Sequence, residues 1–244
     1  MQSLDTLAHT NPWRRRHPAE KAVLAFGLLG CAVALPPWPG ALLVGAVALA
    51  ALLGPVGLVP AALWRAMRAP LVFVAVGSLP LLVAVGGDPL VRFAPEGLGP
   101  AAGLAGRAVA ALLCLILFAV TTPLSDTLPR LERVGVPPAV VEVAALVYRL
   151  LFLLLATAST VREAQARRLG FRTWATTYRC VAAQAGAIFV GAFDRARRLE
   201  QGLALRGYTG SLRVQVPSRP VSPAFLACSV GLVGAVVGCA TVLG

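Results

Sequence analysis

The sequence predicts an all-α integral membrane protein with about five transmembrane helices and a cytoplasmic helical coupling domain inserted before the last one. Two observations lead to this prediction. Of the 244 residues, 58% are hydrophobic and only 13% are charged, a balance far more apolar than that of soluble domains. A helix needs about 20 apolar residues to cross a bilayer. Charge-free runs cover residues 22–64, 69–87, 108–125 and 220–244.

The predicted spans follow from these runs. The first run is interrupted at residues 36–40, PPWPG, and because proline breaks a helix interior, this run holds two spans while each other run holds one. Arg65 and Arg68 then lie in a turn between the second and third spans. The spans are expected at about residues 20–36, 40–63, 70–86, 104–123 and 222–243.

The distribution of the +12 net charge predicts the orientation. Residues 162–219 carry 11 arginines against three acids, and basic loops stay on the cytoplasmic side of a membrane. With five spans, the N-terminus and this segment are both cytoplasmic. Arg92 and Arg107 are then the only two of the 22 basic residues outside.

Residues 139–161 leave an alternative open, because they are apolar enough to form a sixth span. That span would put the basic segment outside, and it would place Glu142 and Arg149 in lipid, where charges are costly. We therefore assign residues 139–161 to a cytoplasmic or interfacial helix. The expected organisation is four spans in residues 1–124, coupling helices in residues 125–219 and the last span in residues 220–244.

Two long helices are predicted in the coupling domain. The first runs over about residues 139–169 and stops at Gly170; the second runs over about residues 174–205 and is ended by Gly207 and Gly210. The second helix is expected to bury one apolar stripe and to expose a polar face. The stripe contains Val181, Ala185, Ile188, Ala192, Leu199 and Leu203. The polar face contains Arg179, Gln184, Asp194, Arg197, Arg198 and Gln201.

Both helices end on the same kind of sequence, in which alanine and arginine precede a glycine and an aromatic residue. Arginine followed by glycine is ordinary at the end of a single helix, because both stabilise a C-terminus. Two copies, with Arg206 38 residues after Arg168, favour a function. They read Ala166-Arg167-Arg168-Leu169-Gly170-Phe171 and Ala204-Leu205-Arg206-Gly207-Tyr208.

With these two ends, the chain resembles the transmembrane T component of energy-coupling factor transporters, within the CbiQ family of cobalt transport proteins. The resemblance covers nearly the whole chain. It includes Asp5, His17-Pro18, the four first spans, the Gly135-Val136-Pro137 turn, the long helices and the last span.

The resemblance implies that two Ala-Arg-Gly signatures dock into two ATP-binding cassette ATPase subunits. Ala204, Arg206 and Gly207 match the second signature, with Ala204 one residue farther from the arginine than in the strict triplet. The first signature is less regular: it contains Ala166 and Gly170, and either Arg167 or Arg168 is its docking residue.

The function implied by the resemblance is that of a non-catalytic scaffold subunit of an ATP-driven importer for cobalt or nickel in a bacterial cytoplasmic membrane. The implied partners are the two ATPases, a CbiM-like substrate-binding membrane S component, a small auxiliary membrane subunit and membrane lipid, with no nucleic acid. The chain contains no GxxxxGK[ST] motif, so ATP hydrolysis belongs to the partners.

Other functions fit the residues less well. Residues 163–165, EAQ, with Gly170 resemble the EAA loop of a conventional ABC importer, although the spacing is one residue too long. A membrane-embedded enzyme needs clustered reactive groups, whereas the acids are scattered and His9 and His17 lie outside the predicted spans. No catalytic residue, cofactor or metal site is predicted. A nucleic-acid module would leave the spans unexplained.

Overall fold

Helices dominate the computed structural model of the chain, which describes residues 11, 13, 16–85, 91–93, 97–208 and 221–243. Asp5, His9 and Gly210 lie outside the described residues. The helices are α1 Pro18–Ala34, α2 Leu42–Leu53, α3 Pro60–Ser78, α4 Leu98–Thr121, α5 Leu124–Thr127, α6 Pro138–Arg167, α7 Trp174–Ala204 and α8 Pro223–Leu243. Short 3₁₀ or π segments occupy Pro37–Ala41, Leu79–Leu82 and Leu128–Val134.

A small hairpin is the only strand structure in the described part of the chain. Its strands, β1 Val83–Val85 and β2 Val91–Phe93, pair antiparallel with Val83 opposite Phe93. The predicted all-α class is confirmed; the sequence analysis did not predict this hairpin.

The chain divides into two compact units. The first contains Met1–Leu124 and Pro217–Gly244, and the second contains Ser125–Val216. In the first unit, α4 packs against α1, α2 and α3, and α1 also packs against α8. Gly27 allows α8 to approach α1 closely, since a Cβ atom there would lie 3.0 Å from Val233 Cγ2. The buried core includes Leu28, Val44, Leu52, Leu117 and Val120.

Four described helical segments are long and apolar enough to cross a membrane. They are Pro60–Leu82, Leu98–Thr121, Pro138–Arg167 and Pro223–Leu243. Pro37–Leu53 is a shorter apolar segment, and α1 has 17 residues. Pro138–Arg167 contains residues 139–161, so length and composition leave the sixth-span alternative open.

The prediction of one span over residues 40–63 is wrong. Helix α2 ends at Leu53, and α3 begins at Pro60, because proline fits the first turn of a helix, where its missing N–H is not needed. The intervening turn uses Gly57 with φ of 68°, a left-handed conformation that glycine adopts readily. Arg65 and Arg68 consequently lie inside α3, not in a turn.

Three helix ends meet at two buried charged residues of α1. Lys21 Nζ donates to the backbone oxygen of Thr121 at 2.7 Å, where α4 ends. Glu20 Oε1 accepts a hydrogen bond from Ser222 N at 2.5 Å, just before α8. Both side chains are nearly inaccessible to solvent. The end of α4 and the start of α8 therefore lie at the same end of the bundle, beside the start of α1.

The opposite end of this bundle is fixed by a second basic side chain, Arg107. Arg107 lies inside α4, nine residues, or about two and a half turns, after its start at Leu98. Its Nη2 donates to the backbone oxygen of Leu35 at 2.8 Å, where α1 ends. Helices α1 and α4 are thus antiparallel and tied by a basic side chain at each end.

The second unit is an antiparallel pair of long helices. Gly135, with φ of 99°, closes the turn before α6, and Thr173 and Thr176 form a capping box that starts α7. Gln165 Nε2 donates to the Cys180 backbone oxygen at 3.0 Å. The predicted extents of both helices are confirmed to within two residues at each end, because turn and cap signals are local in sequence.

The face of α7 that meets α6 differs in part from the prediction. Ile188 and Ala192 are partly buried as expected, but Val181 and Ala185 are exposed. Gln184, expected on the polar face, points toward α6 and its Nε2 donates to the Ala158 backbone oxygen at 2.8 Å. Polar side chains therefore hold the first half of this helix pair, where an apolar stripe was expected.

We predict that Lys21→Met destabilises the first unit. A hydrogen bond from a charged group contributes about 1.5–3 kcal/mol, and Thr121 O would lose this buried donor. The measurement is thermal unfolding of the full chain in detergent. Arg65→Met is the matched control, since Arg65 Nε also donates to a backbone oxygen, of Ala61, but at an exposed site. Equal effects of the two changes would contradict the prediction.

Candidate functional site

The two arginine-bearing helix ends close with the same backbone hydrogen bonds. At the end of α6, Leu169 N donates to Ala166 O at 3.0 Å and Gly170 N donates to Gln165 O at 2.9 Å. At the end of α7, Gly207 N donates to Ala204 O at 3.1 Å and Tyr208 N donates to Leu203 O at 3.1 Å. This pair of bonds defines the Schellman motif, which satisfies the last carbonyl groups of a helix.

Superposing the two motifs assigns equivalent positions. Ala166 corresponds to Ala204, and Arg168 corresponds to Arg206, because each arginine precedes the left-handed residue and donates to the carbonyl three residues back. These bonds are Arg168 N to Gln165 O, 3.1 Å, and Arg206 N to Leu203 O, 3.0 Å. Arg167 corresponds to Leu205, so in backbone geometry Arg168 is the counterpart of Arg206.

The left-handed position is occupied by different residues at the two ends. Gly207 holds it in α7 with φ of 72°, but in α6 it is held by Leu169 with φ of 57°. Gly170, the expected stop, therefore follows the left-handed residue and does not itself adopt that conformation. A non-glycine residue in the left-handed region costs about 1–2 kcal/mol, so the first end is the more strained of the two.

Gly170 is required for packing instead. A Cβ atom at this position would lie 2.5 Å from Cys180 Sγ and 3.0 Å from the Gln165 backbone oxygen. Gln165 also bonds to the Cys180 backbone. The first end is thus pressed against the start of α7, and only glycine permits that approach. At Gly207, by contrast, a Cβ would meet no atom within 4 Å.

The side chains at both ends are available for binding. Ala166, Arg167, Arg168, Ala204, Arg206 and Gly207 are all exposed. Within the described ranges, no hydrogen bond or ion pair engages the guanidinium group of Arg167, Arg168 or Arg206. A guanidinium offers five donors in a planar fork that matches a carboxylate, so each end presents an unoccupied cationic group beside small residues.

Tyr208 anchors the second end to the other helix. Its hydroxyl donates to Glu142 Oε1 at 2.5 Å, and this hydrogen bond to the carboxylate raises the pKa of Tyr208 above its usual value of 10.0. The Tyr208 hydroxyl therefore keeps its proton at neutral pH and remains the donor in this hydrogen bond. The sequence signal for this contact was weak, since Tyr208 and Glu142 are 66 residues apart.

The Tyr208 contact sets the distance between the two ends. Glu142 lies near the start of α6 and Arg168 directly follows its end. At 1.5 Å per residue, the 26 residues between them span about 40 Å. The two arginine-bearing ends therefore lie at opposite ends of one antiparallel helix pair.

In the part of the chain that the structure describes, no group of three or more His, Cys, Asp or Glu residues could hold a metal ion. His17 acts locally: its Nδ1 accepts a hydrogen bond from Ala19 N at 3.2 Å and caps α1.

The comparisons with known proteins agree on one family. The family model described as cobalt transport protein, CbiQ, matches residues 10–217. The cobalt transport protein CbiQ of Rhodobacter capsulatus is 39% identical over 99% of this chain and 98% of its own length. That of Salmonella typhimurium is 26% identical over 88% of this chain and 100% of its own length. A putative fused cobalt transport protein CbiMQ of Methanocorpusculum labreanum is 26% identical over 63% of this chain and 28% of its own length.

We predict that Gly170→Ala destabilises the helix pair by about 1–3 kcal/mol, the usual cost of overpacking. Unfolding in detergent measures the effect, and adding Cys180→Ala should recover part of the loss because it removes the nearer clashing atom. Gly186→Ala is the control: a Cβ there meets nothing within 4 Å, so no loss is expected. A neutral Gly170→Ala would contradict the packing role.

Proposed function

Because the chain belongs to the CbiQ family of cobalt transport proteins, we propose that it is the transmembrane scaffold of an energy-coupling factor importer for cobalt ions, with nickel as the alternative substrate. Its two arginine-bearing helix ends dock two partner ATPases, which supply the ATP hydrolysis. The α6 and α7 pair transmits their movement to a separate substrate-binding membrane subunit. The chain itself is a transport component and performs no reaction.

The observation that carries the proposal is the repeated helix end. Arg168 and Arg206 occupy the same position in the same capping motif, both are exposed, and about 40 Å separates the two ends along the helix pair. We call these two arginine-bearing helix ends the handles. Two equivalent handles at this separation fit two equivalent partners. Gln165, Gln184 and Tyr208 link the helices along their length, so the pair can move as one body between its partners.

The positions of helix ends in the first unit support the five-span arrangement. Thr121 and Ser222 both bond to the start of α1, so the intervening segment begins and ends at the same end of the bundle. That segment then crosses the membrane an even number of times. This favours the five-span proposal over a single crossing by α6, and the four arginines of α7 disfavour a second crossing beside it. The net positive charge of residues 162–219 favours the cytoplasmic side for this segment.

A relative's name supports the membrane partner. The Methanocorpusculum labreanum protein is named as a fusion of CbiM and CbiQ, and fusion joins parts that work together. We therefore propose a CbiM-like subunit as the substrate-binding partner in the membrane. A small auxiliary membrane subunit completes the proposed complex.

We predict that Arg206→Ala and Arg168→Ala each weaken ATPase binding by about 30-fold or more, as expected for a central interface arginine worth about 2 kcal/mol. Copurification and affinity with the partner ATPases measure this, together with ATP-dependent metal uptake. Arg206→Glu should abolish assembly at its site.

Arg167→Ala is the matched control at the first end, and Arg172→Ala is the control for general loss of charge. Both residues are exposed, and neither occupies the position of Arg206. A larger effect of Arg167→Ala than of Arg168→Ala would show that the capping motif does not define the handle. Normal assembly and uptake in both Arg168→Ala and Arg206→Ala would remove the docking proposal.

We predict that a cysteine introduced at Trp174, which is 92% exposed, reacts with a membrane-impermeant maleimide only from the cytoplasmic side. Leu98→Cys, at the start of α4 and thus at the opposite end of the bundle from Thr121, should react only from outside. Labelling of both positions from one side, or of Trp174→Cys from outside, would contradict the five-span arrangement.

A further inference from the structure

An open-sided cleft of about 560 Å³ lies between α6 and α7, away from both arginine-bearing ends. Three arginines and four leucines line it: Arg149, Arg195, Arg198, Leu146, Leu150, Leu153 and Leu199. No residue of the two arginine-bearing ends lines the cleft. Arg149 precedes Arg168 by 19 residues, or about 28 Å of helix, and Arg198 precedes Arg206 by eight residues, or about 12 Å. The cleft is therefore a separate surface from the handles.

The cationic side of the cleft is not neutralised by the protein. Within the described residues, no carboxylate forms an ion pair with Arg149, Arg195 or Arg198. Arg195 has only neutral acceptors at long range, the Gly191 backbone oxygen and Thr157 Oγ1, each at 3.4 Å. Like charges gathered in a cleft with apolar walls focus the field and attract an anion, and guanidinium forks match phosphate oxygens.

The apolar side of the cleft indicates what kind of anion fits. Its leucines continue onto a surface of α6. Only 6% of the residues in the most apolar stretch of this helix are buried, and the mean hydropathy of the stretch, 2.2, is as high as that of α8. Val143, Val147 and Leu151 are exposed there. A free phosphate would leave these leucines in water, whereas an amphiphile satisfies both surfaces: its phosphate meets the arginines and its chains cover the leucines.

We propose that this cleft binds the phosphate headgroup of an anionic phospholipid, with the acyl chains along α6. The bound lipid holds the helix pair at the headgroup level of the membrane, so that the handles remain in water. This inference does not depend on ATPase docking, since it uses none of the residues of the handles.

The test uses the full chain in nanodiscs of phosphatidylcholine with a minor fraction of phosphatidylglycerol. Native mass spectrometry counts the phosphatidylglycerol molecules retained on the protein as that fraction is varied. We expect Arg149→Gln combined with Arg198→Gln to weaken retention about 25-fold, since each arginine near an anionic surface contributes about fivefold. Arg172→Gln combined with Arg179→Gln removes the same charge from exposed positions outside the cleft and should retain lipid as the unmodified chain does.

Several outcomes would overturn the proposal. Equal losses in the two double variants would indicate general surface attraction, and equal retention of the two lipids by the unmodified chain would remove the site. Displacement of the lipid by glycerol phosphate at equal concentration would show a site for free phosphate. Unchanged lipid retention with weaker binding of a partner subunit in the cleft variant would identify an acidic protein segment as the occupant.

Discussion

The buried pair Glu20 and Lys21 is the constraint on which the arrangement of the chain depends. Lys21 bonds to Thr121 O, one of the carbonyl groups left without a partner at the end of α4, and Glu20 bonds to Ser222 N, a free donor before α8. Each charge thus meets the helix terminus whose dipole attracts it. Buried charges are costly unless they are bonded, so these bonds favour the observed arrangement of the three helix ends. These two hydrogen bonds also place the point where the chain leaves the bundle after α4 beside the point where it rejoins the bundle before α8.

The second unit has a different physical character. Its helices bury few large side chains: Val141 is the buried residue in α6, and α7 has none. Side-chain amides of Gln165 and Gln184, bonded to backbone oxygens, hold the pair where an apolar seam would ordinarily do so. A helix pair with so little core of its own leaves its apolar and basic surfaces available for contacts with other molecules.

The two handles are equivalent in geometry but not in strain. Gly207 adopts the left-handed conformation freely, whereas Leu169 adopts it with a steric cost. The strained end is also the one packed most closely, through Gly170 and Cys180. The first handle is therefore fixed by tertiary packing, while the second depends on its own glycine and on the bond between Tyr208 and Glu142.

The sequence by itself determined the all-α membrane class from its hydropathy, the family from the two arginine-bearing ends, and the extents of α6 and α7 from their apolar pattern and the glycines that follow them. Hydropathy and glycine signals act within a few residues of where they stand. The sequence misplaced the end of α2 because the absence of charge over residues 40–63 favoured one span there, whereas Gly54-Pro55 and Pro60 end one helix and begin the next. Only the tertiary structure decided that Gln184 faces α6, that Leu169 is the left-handed residue and that Arg168 matches Arg206. Each of these depends on a neighbouring helix or on backbone angles, and composition and spacing contain neither.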